Sequence, residues 1–159
     1  MGGELFERLL GGNLISTQTA LVRRSLLTAC GDFDDRFAPL EDWECFIRLS
    51  RLTTWAFLPE ALVDAPYSSD SISLNNERWI AALTLLFKEY SAEFTARPRL
   101  LSRHWSTLAH RHYLAGRPAI ARRLYLQAFR KNPSRVTSAI AAFLTTLPPL
   151  YRALTSSAH

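Results

Sequence analysis

The sequence predicts a mixed, helix-rich α/β protein: a first part in which short extended runs alternate with helices, then a wholly helical segment. Three observations predict it. Runs rich in β-branched and aromatic residues, LISTQTALV, TWAFLP and ALVDAPY, occur only in the first part. Apolar residues at helical spacing dominate after Pro98. Charge divides at the same place: all fourteen Asp and Glu lie at or before Glu93, whereas Thr95 to His159 carries eleven Lys and Arg and no acid. The breaker-rich stretch SAEFTARP (91–98) therefore marks a boundary, with domains expected at 1–93 and 98–151.

Taken in order, residues 4–10 start a short helix that Gly11 and Gly12 stop. LISTQTALV reads as an extended segment, and RRSLLTAC as a short helix ended by Gly31. The acidic loop DFDDRF leads into EDWECFIRLSR. There Trp43, Phe46, Ile47 and Leu49 recur at helical spacing behind two carboxylates, and Glu44 and Arg48 stand one turn apart, where they can pair. TWAFLP and ALVDAPY are strand-like, split by Pro59 and Glu60. After the polar loop SSDSIS, a helix is expected from about Asn75 to Tyr90.

Composition bounds the function. With 48% hydrophobic and 21% charged residues, 159 residues suffice for a packed core. No run of 18 apolar residues occurs, and MGGELFERLL has neither a basic n-region nor an apolar h-region, so no membrane span or signal peptide is predicted. A cytoplasmic protein is the expectation, with a peripheral place at the inner face of the membrane as an option within it. Cys30 and Cys45 are too few and too far apart in sequence for a disulfide framework or a zinc site, so reduced thiols are expected.

The chemistry centres on Glu41-Asp42-Trp43. Acids at a helix start are favoured by the unpaired backbone N–H groups there, and that alone can account for them. The alternative is catalytic: a carboxylate held ionised at a helix amino end can accept the proton of an attacking hydroxyl. Asp34 and Asp35 likewise read either as caps of a turn or as ligand contacts.

The surrounding string resembles family-2 glycosyltransferases of the GT-A fold. GGNLISTQTALVRRSLL, then GDFDDRF, then LEDWECFIRL follow that family's order, over about residues 11–73. The resemblance implies an inverting, nucleotide-sugar-dependent glycosyltransferase, present here as its acceptor-side half. Asp42 would be the catalytic base and Glu41 its assistant. Asn13, Arg23, Arg24, Asp34, Asp35 and Trp43 would lie against the substrate. The family's divalent Mg or Mn is held by a DxD pair in a nucleotide-binding half, and no such pair precedes Gly11; Asp32-Phe33-Asp34 spells the motif only inside the FDE-like loop. The expectation is a fragment without cofactor of its own, inactive alone, acting on a lipid-linked or polysaccharide acceptor once a donor half is supplied. The alternative is a non-catalytic binding or scaffold module of the same origin.

In the basic segment Trp105, Leu108, Ala109, Gly116, Ala121, Tyr125, Ala128 and Pro133 resemble the tetratricopeptide (TPR) spacing. Small residues let two helices approach closely, Gly116 and Pro118 make the turn, and residues 134–147 are expected to pack on the hairpin. The aromatics sit at packing positions, so nucleic acid is not expected as a partner. The basic stripe suits either solvent or an anionic membrane surface.

Overall fold

A computed structural model of the protein describes residues 2–64 and 75–147. Among these residues the regular structure is entirely helical: α1 (Gly2–Leu10), α2 (Arg24–Cys30), α3 (Glu41–Leu52), α4 (Asn76–Glu89), α5 (Ser91–Thr95), α6 (Pro98–Leu114), α7 (Pro118–Lys131) and α8 (Val136–Leu144), with short 3-10 turns at Thr17–Thr19 and Asp35–Phe37. The α/β class predicted from sequence is thereby corrected, since no strand or sheet occurs among the described residues. The same finding overturns the family-2, GT-A assignment, because that fold is built on a Rossmann-like α/β sheet.

The physical reason lies in the runs read as strands. Residues 13–23 do run largely extended, with Ser16 at φ −78° and ψ 141° and Ala20 at φ −95° and ψ 125°. A strand, however, is defined by its ladder, and this segment bends into a 3-10 turn. Its Leu21 is fully exposed. TWAFLP and the described part of ALVDAPY are irregular, with Phe57 87% exposed, so strand-forming composition found no partner there. The end of ALVDAPY and the SSDSIS loop lie outside the described residues, as do residues 148–151 of the predicted helical domain.

The chain divides into two compact units, Met1–Leu86 and Phe87–His159. In the first, α3 is the hub, in contact with both α1 and α2. Trp43, Glu44, Cys45, Phe46, Ile47, Leu49 and Ser50 are all buried, so α3 is covered on nearly every side. Trp43 donates its Nε1–H to the Leu9 carbonyl at 2.7 Å, and Arg51 lies over the Phe6 ring at 4.5 Å, which fastens α1 to α3 at two levels. α2 ends as the sequence predicts. Gly31 takes φ 92°, a left-handed cap open to a residue without a Cβ.

The second unit follows its small residues. Ala109, Ala121, Tyr125, Ala141 and Ala142 form one core cluster, with Tyr113, Leu124 and Leu144 against it. Ser102 donates to the Ala128 carbonyl at 2.7 Å, and the Ser106 and Ser138 hydroxyls meet at 3.0 Å, joining α6 to α7 and to α8. Gly116, at φ 75°, turns the chain between α6 and α7. Phe87, Phe94 and the buried His104 meet edge-to-face or tilted, with ring centroids 5.2–5.5 Å apart. These three helices are compatible with the tetratricopeptide-like segment expected from sequence.

Candidate functional site

The amino end of α3 gathers the acid pair. The chain enters it through a cis Ala38–Pro39 peptide and through Leu40, whose side chain offers no cap, so of the first-turn acids Asp42 meets a backbone N–H, that of Trp43, while the charges of Glu41 and Glu44 face the helix dipole. Asp42 is half-buried. Its Oδ1 accepts the Trp43 amide at 2.6 Å, and its Oδ2 accepts the Thr17 hydroxyl at 3.2 Å from a turn 25 residues earlier. Glu41 is also half-buried, but its Oε2 lies out of water and accepts no hydrogen bond. An unsatisfied carboxylate oxygen of this kind costs on the order of 1–3 kcal/mol, more if fully charged, and a donor brought to it removes that cost.

Around the pair, Arg48 holds the neighbouring loop in place. Its guanidinium grips both oxygens of Glu44 at 2.7–2.9 Å and donates to the carbonyls of Cys30 and Asp32. The pairing expected from the one-turn spacing is present, and the reach to the α2–α3 loop comes in addition. Burial alone would lower the Arg48 pKa, but the hydrogen bonds and charge of Glu44 raise it above its ordinary value. Asp32 keeps a left-handed backbone, φ 55°, under this clamp.

The other residues picked from sequence have diverse placements. Asn13 is exposed and its side chain accepts the Ile15 amide at 3.3 Å, a local turn contact. Arg23 and Arg24 are exposed at the start of α2 and make no ion pair among the described residues. Asp34 caps the 3-10 turn and is taken up by Arg36, with contacts from 2.7 to 3.1 Å. The Arg36 hydrogen bonds hold its pKa below the usual carboxylate value, against a smaller opposing effect of burial. Asp35 is exposed at the head of that turn. Trp43 faces the core, only 3% exposed. The structure thus brings Asp42 together with Thr17, a residue that sequence reasoning missed; a lone threonine in TQT gives no local signal.

No group of three or more His, Cys, Asp or Glu among the described residues is placed to hold a metal ion. Asp32-Phe33-Asp34 does not fit one, because Asp34 is engaged by Arg36 and Asp32 meets Arg48 through its carbonyl. No described helix is long and apolar enough to cross a membrane.

Cys30 and Cys45 approach to 4.0 Å between sulfurs, both as free thiols. Burial, with the neighbouring Cys30 second, pushes the Cys45 thiol up to about 12. Cys45 should therefore stay a thiol and resist an aromatic disulfide reagent in the folded protein, while the partly exposed Cys30 reacts. Counting thiols before and after unfolding checks this, and two equally fast thiols in the folded state would contradict it.

Compared with protein-family models, with curated proteins and with solved structures, the chain gives no match.

Proposed function

We propose that the amino end of α3 receives the hydroxyl of a sugar acceptor, with Asp42 as the base of a glycosyl transfer and Glu41 orienting the incoming group. The observation that carries this reading is the half-buried Asp42 carboxylate already in touch with a hydroxyl, that of Thr17. A second hydroxyl in the place of the Thr17 group would meet a carboxylate able to take its proton while the oxygen attacks an anomeric carbon and the diphosphate leaves from the opposite face. The proposal rests on Asp42 and its contact with Thr17. It assigns no residue of the chain to the donor, and the chain by itself is expected to transfer no sugar from uridine- or guanosine-diphosphate sugars.

A second reading, a non-catalytic binding or scaffold module, is favoured by one feature: both Asp42 oxygens are already engaged, by Thr17 and by the Trp43 amide. Such a carboxylate can grip a sugar without deprotonating it.

Both readings place a sugar at the same spot, and titration of the isotope-labelled chain with a panel of soluble glycans tests it. Amide resonances of Thr17, Glu41 and Asp42 are expected to move with at least one glycan. If every glycan leaves those three unmoved, the site is not a sugar site.

A further inference from the structure

The described part of the second unit ends in a helix with two unlike faces. Ser138, Ala141, Ala142 and Thr145 of α8 are buried on the side of α6 and α7. On the other side Val136, Ile140 and Phe143, followed by Leu147 in the next turn, are 56, 46, 66 and 40% exposed. The spacing of four and three residues puts Val136, Ile140 and Phe143 in one stripe along the helix, with Leu147 just beyond its end. No charged residue interrupts residues 136–147. Immediately before the stripe stand the exposed Arg130 and Lys131 at the end of α7, and the half-buried Arg135 at the head of α8.

We propose that this face of α8 lies on an anionic lipid bilayer. The apolar stripe asks for a partner that excludes water, which a bare helix face of this kind does not find in solvent. The charge of the segment selects which partner. Eleven bases and no acid from Thr95 to His159 would set two copies of this segment against each other, whereas a surface of anionic headgroups attracts the exposed bases that come within a Debye length, Arg130 and Lys131 among them. A helix of nine residues is far too short to span a bilayer, but it can rest in the interface with its apolar face among the acyl chains and its flanking Arg and Lys at headgroup level. This surface is independent of the acid pair on α3.

Co-sedimentation of the full chain with vesicles of phosphatidylcholine alone, and of phosphatidylcholine mixed with phosphatidylglycerol, tests the proposal. Binding is expected to the mixed vesicles only and to weaken as salt is raised. The variant I140D/F143D should lower the bound fraction on the order of tenfold or more, since two apolar side chains are replaced by acids. Both positions are exposed, so its circular-dichroism melt should match that of the wild type, which separates lost binding from lost fold. Absence of binding to the mixed vesicles overturns the proposal. So does binding that I140D/F143D leaves unchanged, which would mean charge acts without the stripe. A wild-type dimer in light scattering that the same variant dissociates would show that a second copy, not lipid, covers α8.

Discussion

Arg48→Met is expected to be among the most damaging single changes in the first unit, lowering its stability by about 3–5 kcal/mol, the range for breaking a buried ion pair by removing one partner. Glu44 is 4% exposed and would be left as an unpaired buried charge. The carbonyls of Cys30 and Asp32 would lose their guanidinium donor, and with it the tie that holds the end of α2 and the Asp32 turn on α3. Methionine nearly fills the space of the aliphatic stem, so lost volume is a minor part of the cost. The double variant E44L/R48M should recover most of the loss, because replacing both partners by apolar groups removes the stranded charge. Chemical denaturation followed by tryptophan fluorescence checks both. An R48M protein within about 1 kcal/mol of wild type, the typical value of an exposed pair, would show that the clamp is a surface ornament.

How much of this was legible in the sequence depends on the range of the interaction. The α3 helix could be read because its signals are local: apolar residues at helical spacing behind a run of acids. Gly31 as the stop of α2 and Gly116 as the turn before α7 were equally local, each marking a positive φ. The errors came where a run of residues needs a distant partner to become an element. LISTQTALV has strand-forming composition and in part extended backbone, yet a ladder depends on a neighbouring strand that no pattern within the run specifies. The resemblance of short strings then carried that expectation into a whole fold, which the described residues do not have.

The site divides in the same way. Glu41 and Asp42 were found because acids at a helix start stand out, but Thr17, the partner of Asp42, lies 25 residues away in an unremarkable turn. Trp43, adjacent to the pair in sequence, points instead to the Leu9 carbonyl, as helical geometry turns neighbours to different faces. Asp34 was equally conspicuous, and its carboxylate is occupied two residues on by Arg36. The Arg48 reach to Cys30 and Asp32 had no sequence signal beyond its pairing with Glu44.

The central claim is that Asp42 takes a proton, and Asp42→Asn addresses it with little structural disturbance. Asparagine keeps an oxygen to accept the Trp43 amide, and its NH2 can donate to the Thr17 hydroxyl oxygen, so both contacts have a replacement. What disappears is the charge, with a helix-dipole cost of about 0.3–1 kcal/mol and a correspondingly small shift in melting temperature. In an active enzyme that contains this chain, supplied with donor sugar and acceptor, turnover by Asp42→Asn should fall about a hundredfold or more, the usual contribution of a positioned base. Glu41→Gln should act mainly on acceptor KM, since that side chain orients without accepting the proton. The deciding measurement is therefore the kcat of Asp42→Asn at matched folded fraction: a loss of about a hundredfold or more with the melt nearly unchanged is the result expected, and near-wild-type turnover would return Asp42 to the start of its helix as a stabilising acid and nothing more.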